Sequence, residues 1–139
     1  MKSKRVRSSE ISSDDYAQLL EFRDGLRRFL HWSEEQARSV GLTAAQHQLL
    51  LAVRGHPHPP SIAEVADHLL LRHHSVVELA NRAEAAGLIE RYDDGDDQRV
   101  VRLRLSRTGA AKLAALSAAH LEEIDRMGGT FSRLSRGLG

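Results

Sequence analysis

The chain lacks cysteine entirely, in a sequence of 139 residues. Disulfide bridges, thiolate metal sites and cysteine nucleophiles are therefore excluded. It also lacks an apolar run long enough to span a bilayer, and its basic start, Lys2 to Arg7, leads into Ser and Glu instead of a hydrophobic signal region. We therefore expect a cytoplasmic protein that does not enter a membrane.

An excess of charge of one sign is also missing, because the net charge is +1. The whole-molecule balance therefore indicates no polyanionic partner, but the distribution is uneven. Basic residues gather between Arg91 and Arg107 and in the N-terminal tail, as expected for a phosphate-binding surface. The length and the hydrophobic content of 41% are typical of one soluble globular domain.

Hydrophobic periodicity predicts helices in the first part of the chain. Residues 1–12 are polar and aperiodic, which indicates a flexible N-terminal arm. A helix is expected to begin near Ser12 or Ser13, since apolar residues then recur at spacings of three and four. A capping box formed by Thr43 and Gln46 predicts the start of a second helix, which Gly55 ends.

Two short helices joined by a tight turn are predicted next. Residues 56–60 contain three prolines, which cannot continue a helix, so this segment is a loop. A second capping box, Ser61 with Glu64, opens the third helix. The fourth helix is predicted from about Arg72 to Ala86, followed by a glycine suited to a left-handed C-terminal residue.

Two short strands and a long helix complete the predicted elements. The strands cover 88–92 and 100–105 and flank an acidic turn. A long helix rich in Ala and Leu is expected from near Ser106. The pair Gly128 and Gly129 is predicted to break it before a short last helix.

This order of elements predicts a mainly α-helical fold with a small β wing, in which a winged helix-turn-helix occupies residues 43–105. The second helix of such a pair fits the major groove of DNA, where its outward side chains reach base edges. For each such residue, a place on a solvated helix face is an equally good interpretation. The predicted contact residues on and beside this helix are Arg72, His73, His74, Ser75, Val77, Glu78, Asn81 and Arg82.

The tip of the hairpin carries an aspartate and an arginine two residues apart. Arg99 is expected to enter the electronegative minor groove, while Asp97 orients its guanidinium group. The neighbouring acids Asp93, Asp94 and Asp96 would repel phosphates and are therefore expected to point away from a duplex. The predicted phosphate contacts are Arg91, Arg102, Arg104 and Arg107.

Several short motifs then occur in a characteristic order: Leu42-Thr43, Ile62 to Ala66, Ala86 to Arg91, Asp97-Gln98-Arg99 and Leu105 to Gly109. Together they resemble the MarR family of bacterial transcriptional regulators, over roughly residues 14–138. Each motif alone is weak, but their order and spacing are specific. The chain departs from the family's usual residues at Val77, Glu78 and Ser106, so its operator cannot be taken from its relatives.

The resemblance implies a homodimer of one MarR-like domain, residues 13–139, with interlocking dimerisation helices at 13–40 and 107–139. Two winged domains would then contact successive major grooves of a pseudo-palindromic operator. The apolar content of both terminal segments agrees, because it exceeds what a monomer of this size leaves exposed. The predicted interface residues are Leu19, Phe22, Leu26, Leu121, Ile124, Phe131, Leu134 and Leu138.

The resemblance also implies regulation by a small effector, commonly aromatic and anionic, whose binding releases the protein from DNA. By this resemblance its pocket would be lined by helices one, two and five. The alternative for each residue is a place in the core or at the helix junction. The candidate pocket residues are Phe29, His31, Trp32, His47 and Leu51.

The eight histidines raise the hypothesis of a metal site. His56 and His58 flank prolines in a loop, and His73 and His74 are neighbours that point apart on a helix. No metal site is therefore predicted from the spacing. No cofactor is predicted either, because the chain has no glycine-rich phosphate-binding motif.

Three classes of function can be compared on the sequence. An enzyme is not expected, because neither a nucleophile elbow nor a phosphate-binding loop is present. A winged helix used only for protein interaction remains an alternative, in which Arg99 would be dispensable. The basic hairpin favours a DNA-binding repressor of a promoter.

Overall fold

The structure is a computed structural model that describes the backbone of residues 5–95 and 100–138, and the side chains of 5–95 and 100–129. It divides into two compact units. The terminal unit comprises Met1–Ser33 and Ala119–Gly139, and the winged unit comprises Glu34–Ala118. Within the described ranges, no helix combines the length and the hydrophobicity required to cross a membrane.

The observed elements confirm the predicted fold class, which is mostly helical with a small two-stranded sheet. In chain order they are a 3₁₀ turn at Ser8–Glu10, α1 (Ser13–Ser39), α2 (Ala44–Gly55), α3 (Ile62–Leu69), α4 (His73–Ala85), β1 (Ile89–Asp93), β2 (Val101–Leu105) and α5 (Arg107–Leu138).

Both predicted capping boxes are present. The Thr43 hydroxyl accepts from the Gln46 backbone N–H, and the Gln46 side chain accepts from the Thr43 backbone N–H, each at 3.0 Å. Ser61 and Glu64 exchange the same pair of bonds at the start of α3. These bonds satisfy N–H groups that a helix start otherwise leaves unpaired, so they fix where α2 and α3 begin.

The two strands form an antiparallel wing that is anchored to the loop before α3. Ile89 lies opposite Leu105 and Asp93 opposite Val101, so each strand begins one residue later than predicted. The Leu103 backbone N–H also donates to the Pro60 carbonyl at 2.9 Å. The end of the proline-rich loop therefore pairs with β2 over a short stretch.

The winged unit has its own apolar core. Its largest fully buried side chains include leucines from α2 and β2 and valines from α3 and α4, so every element of the unit contributes to one cluster. The core residues are Ala37, Leu42, Leu49, Leu50, Val53, Val65, Val76, Ala80, Ala83, Leu88, Ile89, Leu103, Leu113 and Leu116.

The start of α5 is fixed against the end of α4 by a serine and a glycine. The Ser106 hydroxyl donates to the Gly87 carbonyl at 2.6 Å and accepts from the Gly109 N–H at 3.0 Å. A Cβ atom on Gly109 would lie 2.1 Å from the Leu88 carbonyl oxygen. Glycine is therefore required here by close backbone approach.

The predicted break at Gly128 and Gly129 was wrong, because α5 continues without interruption to Leu138. Each glycine inside a helix costs about 1 kcal/mol relative to alanine, but it keeps both its N–H and its carbonyl for the hydrogen-bond ladder. Proline lacks the N–H and clashes with the preceding turn, so it breaks a helix where glycine does not. The expected separate last helix is the end of α5.

Candidate nucleic-acid interface

Helix α4 is attached to the core by one side and presents the other to solvent. Val76, Ala80 and Ala83 are fully buried. Because these positions recur at spacings of four and three, the remaining positions form a continuous outer face. Of the predicted contact residues, Ser75 and Val77 are half-buried, and the exposed ones are Arg72, His73, His74, Glu78, Asn81 and Arg82.

The turn between α3 and α4 is set by a leucine in a left-handed conformation. Leu70 has φ 55° and is 91% exposed. The next residue, Leu71, donates its backbone N–H to the Ala66 carbonyl at 3.1 Å and so closes the end of α3. A residue with a Cβ costs about 1–2 kcal/mol in this conformation. The sequence predicted a tight turn but not this backbone strain.

Two of the predicted phosphate-binding arginines have partners on neighbouring elements. Arg91 donates to the Asn81 carboxamide oxygen and lies 3.7 Å from a Glu84 carboxylate oxygen, which joins β1 to α4. Arg104 donates to Glu90 at 2.9 Å and stacks over the Tyr92 ring at 4.8 Å. A phosphate must therefore compete with these contacts.

Arg102 is held by two carboxylates. Its guanidinium group contacts Glu64 at 2.9 Å and Asp94 at 3.3 Å, and its side chain is 23% exposed. Asp94 therefore turns onto the wing and not outward, because it lies beside a cation on the neighbouring strand. Asp93 is exposed. The remaining wing residues of the prediction, Asp96, Asp97 and Arg99, lie outside the described residues.

Glu64 is the centre of a polar cluster that sequence reasoning missed. Its Oε1 accepts from the Ser61 N–H and from Arg102, while its Oε2 lies 2.7 Å from His56 Nε2 and 3.5 Å from His58 Nε2. The hydrogen bond from the Ser61 backbone, followed by those from His56 and the Ser61 hydroxyl, lowers the pKa of Glu64 from 4.5 to about 2, against the opposing effect of burial. The carboxylate is therefore ionised at neutral pH.

The candidate effector residues of the terminal unit lie in an aromatic cluster. Phe29 and Trp32 are half-buried and contact the His120 ring at centroid distances of 5.8 and 4.8 Å. Ser33 Oγ lies 2.6 Å from His120 Nε2. His31 is exposed. Sequence reasoning missed His120, although Phe29, Trp32 and Ser33 share one face of α1 at spacings of three and four.

The other two candidate effector residues belong to α2 of the winged unit. His47 is buried, and Leu51 is 53% exposed. Leu51 lines a cavity of about 380 Å³ that His56, His68 and Leu69 also line. The predicted effector pocket stays a prediction.

The predicted dimer residues expose much apolar surface. Leu19 is 47%, Leu121 is 69% and Ile124 is 50% exposed, while Phe22 and Leu26 are half-buried. Apolar side chains with this exposure are available for burial against a second chain. The other predicted interface side chains, Phe131, Leu134 and Leu138, lie outside the described side chains.

These elements, two short helices with a tight turn followed by an anchored hairpin, define a winged helix-turn-helix protein. The model of the MarR family matches residues 40–100, from the end of α1 into the wing. Over this segment the chain is similar to the MarR family, which agrees with the resemblance found in its motifs. No curated protein matches the chain.

Solved structures of MarR proteins share the fold over nearly the whole chain. A MarR family protein from Bacillus stearothermophilus has a TM-score of 0.74 at 20% identity, covering 92% of this chain and 95% of its own. AbsC from Streptomyces coelicolor has a TM-score of 0.74 at 16% identity, covering 92% and 91%. A point mutant of MepR from Staphylococcus aureus, bound to an oligodeoxyribonucleotide, has a TM-score of 0.69 at 20% identity, covering 94% and 100%.

Proposed function

We propose that the chain is a transcriptional regulator that binds double-stranded DNA as a homodimer, with α4 in the major groove. The observation that carries this proposal is the outer face of α4. Its exposed residues His73, His74, Glu78, Asn81 and Arg82 lie opposite a fully buried face, so the helix is held rigidly while its polar side is accessible. A rigid helix of this width fits the major groove.

The side chains on this face have the chemistry for base recognition. The Arg82 guanidinium group can donate two hydrogen bonds to the O6 and N7 acceptors of guanine. The Asn81 carboxamide can donate to adenine N7 and accept from adenine N6. The contact from Arg91 fixes the orientation of the Asn81 carboxamide before DNA arrives. An oriented side chain loses less conformational entropy on binding, which supports a specific contact in place of a merely solvated face.

The arginines of the wing have different roles: one contacts phosphate, one positions the wing and one enters the minor groove. Arg104 is 58% exposed, so its pair with Glu90 can be exchanged for a phosphate at little cost. Arg102 is far less exposed and binds two carboxylates, which favours a role in positioning the wing over a phosphate contact. Arg99 enters the minor groove, with Asp97 orienting it.

The dimer in this proposal forms through the terminal helices, whose exposed leucines and isoleucine are covered by the second chain. The regulator represses a bacterial promoter from the cytoplasm, and a small aromatic or anionic effector releases it from a pseudo-palindromic operator. The structurally similar MepR mutant is bound to an oligodeoxyribonucleotide. By analogy of fold, this supports DNA binding by the present chain.

Selection of bound sequences from a random duplex library by the purified chain tests the proposal. We expect an inverted repeat with half-sites about one helical turn apart, bound by one dimer, with affinity that falls steeply as salt rises. Enrichment of no sequence, together with weak binding at every salt concentration, would contradict it.

A matched pair of variants then locates the contact. Arg82→Ala should weaken binding to the selected operator by roughly 1–3 kcal/mol and relax the base preference at one position in each half-site. Arg38→Ala, at the exposed C-terminal end of α1, should leave both unchanged. Equal affinity in the two variants would remove Arg82 from the interface.

A further inference from the structure

A cluster of three imidazoles and one carboxylate lies at the corner between the proline-rich loop and α3. His56 and His58 come from the loop, while Glu64 and His68 lie one turn apart on α3. Donor atoms of His56, His58 and Glu64 all lie within 4.8 Å of one another. None of these residues belongs to the outer face of α4 that the proposed function uses.

The distances are close to those of a metal site. A tetrahedral ion with bonds of 2.0–2.1 Å separates its ligand atoms by about 3.3 Å. His58 Nε2 lies 3.5 Å from Glu64 Oε2, and His56 Nε2 lies 2.7 Å from the same oxygen. An ion would therefore need the His56 ring to move by about 0.6 Å away from Glu64, and the His56 and His58 donors, which lie within 4.8 Å of each other, to take up the same tetrahedral separation.

The carboxylate is already aimed at the two imidazoles. Glu64 Oε1 accepts from the Ser61 backbone N–H at 3.0 Å and from Arg102 at 2.9 Å, so these bonds fix the side chain from one side. Glu64 Oε2 remains directed at the two rings. Since the loop is also fixed by the bond between Leu103 and Pro60, the three donors are held before an ion arrives.

The third histidine of the cluster, His68, contacts the His56 ring on the side away from Glu64. His56 Nδ1 lies 2.9 Å from His68 Nε2, while the opposite nitrogen of the same ring faces Glu64. Histidine ligands of metals usually make such a second hydrogen bond, which fixes the ring orientation and the tautomer. Both ring nitrogens of His56 therefore have a partner, as in a metal site with an oriented histidine ligand.

We propose that His56 Nε2, His58 Nε2 and Glu64 Oε2 bind one divalent zinc-class ion, with His68 orienting His56. Two nitrogens and one oxygen suit Zn²⁺, whereas Ca²⁺ and Mg²⁺ prefer oxygen ligands alone. Three protein ligands leave a fourth position for water or another donor. The ion connects the loop to α3 and, through the contact of Glu64 with Arg102, to the wing.

The test is a zinc titration of the untagged full chain after treatment with a chelator, using a competing chromophoric chelator to measure affinity. We expect one Zn²⁺ per chain. His58→Ala should lower the affinity on the order of 100-fold, and His68→Ala by about tenfold, as for loss of an orienting partner. His74→Ala, another exposed histidine of the winged unit, should leave zinc affinity unchanged.

Two further measurements separate loss of a ligand from loss of the fold. Glu64→Gln keeps an amide that can cap α3, as Gln46 caps α2, so the helix should persist by circular dichroism while zinc affinity falls. Co²⁺ bound to wild type should show the strong visible absorption of a tetrahedral complex, and His58→Ala should lose it. Zinc affinity unchanged in both folded variants, or no binding by wild type, would overturn the proposal.

Discussion

The winged unit and the terminal unit differ in how they satisfy their apolar side chains. In the winged unit, Leu49, Leu50 and Leu103 are fully buried by elements of the same unit. In the terminal unit, Leu121 and Ile124 are at least half exposed. The winged unit is therefore stable through its own packing, whereas the terminal unit has an apolar surface that a second chain can cover.

The largest expected effect comes from two neighbouring leucines of α2 with opposite environments. Leu50 is fully buried, and Leu51 is 53% exposed. Leu50→Ala removes buried methyl groups and leaves a cavity, so it should lower the free energy of unfolding by about 2–5 kcal/mol. Leu51→Ala should lower it by less than about 1 kcal/mol. Urea unfolding followed by circular dichroism measures both, and equal losses would show that the winged unit has a different core.

A second prediction concerns the close approach of α5 to the backbone before β1. Gly109→Ala places a methyl group against the Leu88 carbonyl, so it should destabilise the fold by roughly 1–3 kcal/mol through overpacking. Gly55→Ala is the matched control, because a Cβ there meets nothing within 4 Å at the end of α2. Thermal unfolding should show a lower Tm only for the first variant, and equal Tm values would mean that the junction can relax.

The third prediction concerns the terminal unit alone. Ile124→Glu places a charge on the proposed interface, so the dimer dissociation constant should rise at least tenfold, or about 1.4 kcal/mol. Leu71→Glu alters a leucine of the winged unit that is 43% exposed and should leave association unchanged. Sedimentation velocity over a range of concentrations measures both. A dimer that survives Ile124→Glu with unchanged affinity would place the interface elsewhere.

Local patterns made the helix starts and the outer face of α4 predictable. Thr43 with Gln46, and Ser61 with Glu64, act within one helical turn, so sequence spacing contains the whole interaction. The helix break at Gly128 was predicted wrongly, because glycine propensity is weak against an otherwise continuous hydrogen-bond ladder. Propensity alone therefore does not locate the end of α5.

The contacts that sequence reasoning missed join distant parts of the chain. Arg102 meets Glu64 across 38 residues, and His120 meets Ser33 across 87. The cluster at Glu64 is instructive, because the capping box already placed this carboxylate directly after a loop with two histidines. What spacing could not supply is the path of the loop, which the bond from Leu103 to Pro60 determines.

The smallest expected effect concerns the strained turn of the winged unit. Leu70→Gly removes the cost of a left-handed residue with a Cβ, about 1–2 kcal/mol, and adds the backbone entropy of glycine, about 0.5–1 kcal/mol. Because Leu70 is 91% exposed, almost no packing is lost. The free energy of unfolding should therefore rise by about 0.5–1 kcal/mol. Gly87→Ala, at φ 74°, is the reverse change and should lower it by about 1 kcal/mol. Urea midpoints that move in the same direction for both variants would contradict the prediction that relief of left-handed strain at Leu70 stabilises the winged unit.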